Sequence, residues 1–305
     1  MWRKISNIPI SITTRAQVPV VDNSYKDIFR IYYSARTPTN KSQPFFADVL
    51  KDDPTKVVYQ SSTPMLTLGK RGSFDWAGIM PTDIIEKDGL KYLYYVGWSR
   101  RADVPYHNSL GLAISEDGNT FSKISDGPIF STSRLEPGYV GTISIVRTPD
   151  AFMGYYLSCR DWIKSSVGYE PVYDIKLAIS SDGIDWTPTG QSCISLEDNE
   201  GGISQACVRQ LKDGNLEMHF SSRGKLDYRK NIADSYRIRR ALSKDGKTWE
   251  RLPGACVDVS NKGWDSEMTA YPYIVSHKNL DYLFYNGNRF GESGVGFATR
   301  DRQIA

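Results

Sequence analysis

The sequence predicts an all-β fold: a five-bladed β-propeller of four-stranded antiparallel blades. Three observations predict it. A unit recurs along the chain, each unit runs its strands in one order, and the chain start supplies the strand that the last unit lacks. The segments GLAISEDGNTF, KLAISSDGIDW and RRALSKDGKTW each lead a short alternating strand into Ser-x-Asp-Gly and then an aromatic. Their serines, Ser115, Ser180 and Ser243, stand 65 and 63 residues apart. GVGFATRD from Gly294 keeps the strand and stops before the aromatic; PFFADVLKDDPTKVVYQ from Pro44 is a degraded first copy.

Each unit also holds an aromatic-rich strand: IFRIYYSAR, KYLYYVGWSR, FMGYYLSCR, LEMHFSSR and DYLFYNGNR. Before each lies an apolar strand: VPVV, MPTDII, TISIV, SQACV and YPYIV. One unit therefore reads strand A, turn, strand B, loop, strand C, Asp-Gly turn, strand D. The chain end, Ile304-Ala305, lacks a strand D. Trp2 falls where Phe121, Trp186 and Trp249 fall, so residues 1–10 are expected to complete the last blade and remove an open edge. Residues 1–305 then form one domain. A β-sandwich with accidental internal similarity is the alternative.

In such a meander the start of strand A and the B–C loop share one face, and the A–B and C–D turns share the other. Asp117, Asp182 and Asp245 sit in C–D turns and read as structural: Asp accepts turn N–H groups and Gly takes the positive φ. The opposite face is where a ligand is expected. Approaches to strand A there carry Asp75 and Trp76, Arg134 to Tyr139, Glu197 to Gly202, and Trp264, Asp265, Glu267 and Tyr271; the first blade approaches through Thr13-Thr14-Arg15 without an acid. The B–C loops open with Arg36, Arg100, Arg160, Arg223 and Arg289 and hold His107 and Asn288. The arginines read either as partners of neighbouring carboxylates or as a cationic ring for an anionic ligand, since guanidinium forks suit carboxylate and phosphate.

Composition narrows the function. The net charge of +3, from 38 basic and 35 acidic residues, gives no general attraction to nucleic acid or to an anionic membrane. No apolar run reaches a bilayer-spanning length, and no export signal follows Met1, so a cytoplasmic protein is expected. Cys159, Cys193, Cys207 and Cys256 form no CxxC and read as reduced thiols, with a Cys193–Cys207 disulfide as the lesser alternative. His107, His219 and His277 have no zinc spacing, and no phosphate loop or nucleophile elbow appears, so neither metal nor cofactor is expected.

The five-unit repeat and the acids before inner strands resemble the five-bladed propeller glycosidases, glycoside hydrolase families 43, 32 and 68 and the related family 130. The resemblance covers nearly the whole chain in architecture and is weak in motifs. It implies three acids in an axial pocket: Asp75 as base or nucleophile, Glu200 as orienting acid and Glu267 as general acid. Hydrolysis of a glycosidic bond needs one protonated and one ionised carboxyl across the ring. Trp76, Trp264 and Tyr271, with Asp265, Asn288, His107 and the five arginines, would bind the sugar. The expected function is a glycoside hydrolase or related glycosyl-transferring enzyme acting on an anionic sugar or sugar conjugate. The alternatives are a phosphate-using phosphorylase, marked by one essential carboxylate, and a non-catalytic propeller that binds a glycan or a partner.

Overall fold

The computed structural model describes residues 1–10, 15–166 and 168–302. Thr13 and Thr14, named above, and the terminal Ile304 and Ala305 lie outside them. The fold is all-β and propeller-like. After β1 (Arg3–Asn7), the strands pair in chain order into antiparallel meanders of four. The first holds β2 (Gln17–Asp22), β3 (Ile28–Arg36), β4 (Ser42–Leu50) and β5 (Val57–Gln60). The second holds β6 (Gly78–Lys87), β7 (Leu90–Ser99), β8 (His107–Ser115) and β9 (Ser122–Lys123). The third holds β10 (Val140–Arg147), β11 (Phe152–Ser165), β12 (Gly168–Ser180) and β13 (Thr187–Ile194). The fourth holds β14 (Glu200–Gln210), β15 (Leu216–Gly224), β16 (Arg237–Ser243) and β17 (Glu250–Arg251). The last holds β18 (Ala270–His277), β19 (Leu280–Asn286) and β20 (Val295–Asp301), and its fourth strand is β1, with Arg3 opposite Thr299.

First strands pack side by side: β2 on β6, β6 on β10, β10 on β14, β14 on β18, and β18 back on β2. The apolar core lies in layers between successive meanders. Tyr94, Leu112, Ile145 and Trp186 fill one layer, and Ile175, Ile203, Met218 and Trp249 fill the next. Burying each such side chain contributes roughly 1.5–3 kcal/mol.

The Ser-x-Asp-Gly turns behave as their chemistry requires. The amides of Gly118, Gly183 and Gly246 donate to the preceding serine hydroxyls at 2.9, 2.8 and 2.8 Å, and all three glycines have positive φ. Asp117, Asp182 and Asp245 accept the amides of Asn119, Ile184 and Lys247, each at 2.8 Å. A tyrosine of the preceding meander then reaches each turn. Tyr32, Tyr94 and Tyr155 donate to the carbonyls of Gly118, Gly183 and Gly246 at 3.0, 2.8 and 3.0 Å. His219 takes this tyrosine's place in the fourth meander. Its ring meets Trp2 edge-on at 5.7 Å, and neither ring nitrogen has a hydrogen-bond partner among the described residues. All four cysteines are unbridged, including Cys193 and Cys207. No described helix is long and apolar enough to cross a membrane.

Candidate ligand cavity on the first-strand face

Every first strand carries a register shift near its start: at Gln17/Val20, Pro81/Asp83, Val140/Ile143, Ser204/Cys207 and Ala270/Tyr273. Val18, Gln205 and Tyr271 adopt left-handed φ values of 53, 49 and 59° there. A bulge bends the strand and re-aims a side chain, and it costs strain that the surrounding packing must offset. The bulges open a cavity of about 550 Å³, lined by Val18, Met80, Thr142, Ser204 and Tyr271 from the first strands. Its remaining wall comes from the approaches to the first strands, from the second and third strands and from the connections between those two. The ligand face predicted from the meander geometry is therefore the face that holds the cavity.

Among the described residues four arginines line it: Arg15, Arg36, Arg100 and Arg229. Arg36 Nε donates to Gln17 Oε1 at 3.2 Å, and the guanidinium lies over the Trp98 ring at 5.1 Å. Burial, with the charges of Arg15, Arg229 and Arg100 added, lowers the Arg36 pKa to about 10. Arg229 lies over Tyr228 and Phe290 at 4.7 and 5.1 Å. Tyrosines form the rest of the floor: Tyr139, Tyr173, Tyr228 and Tyr236 are all buried.

An adjoining cavity of about 540 Å³ shares Arg15, Tyr228, Arg229 and Phe290 with the first and adds Lys230, Glu267 and Arg289. Glu267 is half-exposed, and its carboxylate lies 3.6 Å from Arg289 Nε. Arg289 and Phe290 are consecutive left-handed residues, with φ of 52 and 59°. Two such residues in succession are held against their backbone preference, so the wall between the cavities stores strain.

Neither cavity is lined by more than one of the three predicted catalytic acids. Asp75 is buried outside both cavities, bonded to Ser73 at 2.9 Å and paired with Lys123 Nζ at 2.5 Å. Glu200 is gripped by Arg251, with Nη1 at 2.7 Å from its Oε2, and hydrogen bonding from that guanidinium helps hold its pKa below the usual value despite burial. Only Glu267 faces a cavity, the adjoining one. Asp265, predicted to bind substrate, is likewise buried and held by Lys4 and Tyr285, each at 2.8 Å. The reason is a second repeat. Glu136 of the third meander bonds Tyr156 at 2.6 Å and Lys176 at 3.0 Å. In four of the five approaches one acid is thus tied to a cation of its own sheet, which fixes the approach against the meander.

The other predicted residues divide. Arg36, Arg100 and Tyr271 line the main cavity, and Arg289 lines the adjoining one. Arg160 is paired with Asp174 at 3.1 Å and lies outside. Arg223 is buried behind the tyrosine floor, over Tyr228 at 3.9 Å, and donates to Tyr173 Oη at 3.0 Å. Trp264 stacks on Tyr285 at 4.8 Å, and Trp76 lies under Lys41 at 5.0 Å; neither lines a cavity. Asn288 is consumed locally: its carbonyl accepts from Glu267 N at 2.7 Å and its amide donates to Gly263 O at 3.0 Å. His107 sits beside Tyr139 at 6.2 Å, and its neighbours Tyr106 and Asn108 line the cavity in its stead. Burial, with Arg101 nearby, lowers its pKa.

Sequence reasoning missed Arg229, Tyr228 and Glu170. Tyr228 and Arg229 lie in the 225–236 connection, and Glu170 lies on the extended β11–β12 hairpin. Their signal was the departure from the repeat: both segments are longer than their counterparts. No group of three or more His, Cys, Asp or Glu among the described residues is arranged to hold a metal ion.

No family model matches the chain. Over 308 aligned residues it is 30% identical to Uncharacterized protein Rv1502 and to Uncharacterized protein MT1551, both of Mycobacterium tuberculosis, covering 97% of this chain and 98% of each relative. The chain belongs to their family. Its fold is also that of solved propeller glycosidases. A glycosyl hydrolase from Bacteroides ovatus superposes with a TM-score of 0.72 at 18% identity, over 98% of this chain and 90% of that one. A protein described within the family-130 mannoside phosphorylases, in work on hydrolases of β-1,2 mannosidic linkages in Candida mannan, gives 0.72 at 17%, over 99% and 94%. A thermostable family-43 glycoside hydrolase gives 0.70 at 16%, over 97% and 91%.

Proposed function

We propose that this family member is a carbohydrate-active enzyme whose meanders are the blades of one closed five-bladed propeller, and that it takes a sugar bearing an anionic group into the 550 Å³ cavity. The packing of β18 back onto β2 supports closure. The carrying observation for the ligand is the arginine cluster. Burial, with the like charges of Arg15, Arg229 and Arg100 added, lowers the Arg36 pKa to about 10, and an anion would favour its charged form. The aromatic floor suits the apolar C–H faces of a sugar ring. Glu267, of the acids named from the sequence, lines the adjoining cavity, which shares Arg15, Tyr228, Arg229 and Phe290 with the first.

The test is titration calorimetry with hexose phosphates, hexuronates and their neutral parents. Arg36→Gln should weaken the anionic ligand about 10- to 100-fold, the loss of one charge-assisted hydrogen-bond donor, and leave a neutral sugar unchanged. Equal affinity for neutral and anionic sugars in the wild type would sink the anionic reading.

A second reading, glycosyl transfer to phosphate, is favoured by one specific observation. Among the described residues a single carboxyl group, Glu170, lines the main cavity, one fewer than two-carboxylate hydrolysis employs. In phosphorolysis a phosphate oxygen is the nucleophile and arginines hold it. Turnover of a glycoside that requires added inorganic phosphate would select this reading; release of free sugar in phosphate-free buffer would select hydrolysis.

A further inference from the structure

Glu170 is unlike the other acids buried near the site. It is 2% exposed, it lines the main cavity, and neither carboxyl oxygen has a hydrogen-bond partner among the described residues. Asp75, Glu136 and Asp265, equally buried, each hold a lysine and at least one hydroxyl. Asp83, also fully buried, accepts from Tyr273 Oη at 2.7 Å and from Ile145 N at 2.6 Å. Ser204 of β14 repeats the pattern: it is 3% exposed, it lines the same cavity, and its hydroxyl has no hydrogen-bond partner among the described residues.

The neighbours of Glu170 explain why no protein group reaches it. Its strand pairs with Ile163 of β11, and the next carbonyl, Pro171, is taken by Arg223. That arginine is turned away, clasped between Tyr173 and Tyr228. A carboxyl buried without donors carries its full desolvation cost, and such groups in native folds call for an explanation.

We propose that Glu170 is a ligand-binding residue that accepts hydrogen bonds from hydroxyl groups of the ligand. This rests on the anionic-sugar reading and narrows it: the cavity takes a polyhydroxylated anion, not an anion alone. The arginines hold the charged substituent, and Glu170, with Ser204 of β14, reads the hydroxyls. Two hydroxyls on adjacent ring carbons match the two carboxyl oxygens. A bare phosphate offers the arginines the same charge and gives Glu170 nothing to accept from.

The experiment uses the full chain and Glu170→Gln. Inorganic phosphate, glucose 1-phosphate, glucuronate and glucose are titrated into both proteins, and both are melted without ligand. The variant is expected to bind the sugar anions about tenfold more weakly, as for one lost strong hydrogen bond. Its affinity for inorganic phosphate should stay within twofold or tighten. Without ligand it should melt about 2 °C or more higher, because Gln is cheaper to bury than an unpartnered acid. A lower melting temperature would show that Glu170 supports the fold, and equal losses for phosphate and sugar anions would show that it reads no hydroxyls; either overturns the proposal. Wild-type protein that binds none of the four overturns it together with the anionic-sugar reading. Glucose bound as tightly as its phosphate, with tenfold loss in Glu170→Gln, would sink only the anionic reading.

Discussion

Two sets of buried carboxyl groups divide this molecule into a frame and a site. The frame set is Asp75, Glu136, Glu200 and Asp265, each 20 residues before the second member of the adjacent ring pair in its following strand: Tyr95, Tyr156, Phe220 and Tyr285. Every member has a cation: Lys123, Lys176, Arg251 and Lys4. The cavity holds Glu170, which has no counterpart in the other meanders and no hydrogen-bond partner among the described residues. The contrast teaches that in a repeated fold a recurring polar residue belongs to the blade, because whatever it does must be done in every copy. Function gathers where copies differ, here in the long β11–β12 hairpin and the 225–236 connection.

The largest test of that division is Asp75→Asn. As part of the frame, Asp75 is 1% exposed and neutralises Lys123, whose side chain is only 17% exposed. Its loss leaves a poorly solvated ammonium without a partner, and about 3–5 kcal/mol of stability should go, read as a lower urea midpoint at unchanged slope. Ligand affinity of the folded fraction should stay within about twofold. A variant of wild-type stability that had lost ligand binding would return Asp75 to the site and break the comparison.

The pH dependence sharpens the frame side. Burial raises the Asp83 pKa to about 6, and burial lowers that of His219 to about 3. Asp83 titrates near 4 when unfolded, so between pH 4 and 6 the folded state binds its proton more tightly and stability rises as pH falls. His219 titrates near 6.5 when unfolded, so over that window the unfolded state takes up the proton and stability falls as pH falls. Each contributes about 1.4 kcal/mol per pH unit, with opposite sign. The two shifts therefore oppose each other from pH 6 to 4, on top of the stability lost on acidification through carboxylates held low in the fold, such as Glu217 and Asp245. Relative to the wild type, Asp83→Asn should lose more stability on acidification, by about that slope, and His219→Phe should lose less. Phe suits the position, since Phe284 stands there in the last meander. Parallel pH profiles for all three proteins would refute the two shifts.

Most of the frame was legible in the sequence. The Asp-Gly turns announce each third strand, and Trp2, two residues before Lys4, matches Phe121 before Lys123 and Trp249 before Arg251. That alignment places β1 on β20, and it also holds the clue that the lead-in acids are paired, since each of these cations meets an acid of its own sheet. The third meander lacks the cation, having Pro188 there, and Lys176 of β12 replaces it. Reading the acids by their distance from a strand, without asking what faced them, made Asp75 and Glu200 look catalytic. The site was less legible for a physical reason. Arg36 and Arg100 are marked by position in the repeat, but Arg229 and Glu170 come from segments with no counterpart, and only tertiary packing brings them to one cavity.

The smallest test separates the two aromatics of one pair. Tyr94 donates to the buried Gly183 carbonyl at 2.8 Å and joins the second meander to the third. Tyr94→Phe leaves that carbonyl unsatisfied and should cost about 1–2 kcal/mol. Tyr95 reaches Asp75 only at 3.5 Å, and Asp75 keeps Lys123 and Ser73 without it. Tyr95→Phe should therefore cost about 0.5 kcal/mol, at the low end for a hydrogen bond. The fourth meander already contains this change: Phe220 stands at the equivalent position, and Glu200 there relies on Arg251. Urea denaturation of the two variants side by side would measure the difference. If Tyr95→Phe were the costlier, the acid–tyrosine contact would hold the blade together more firmly than the joint between blades.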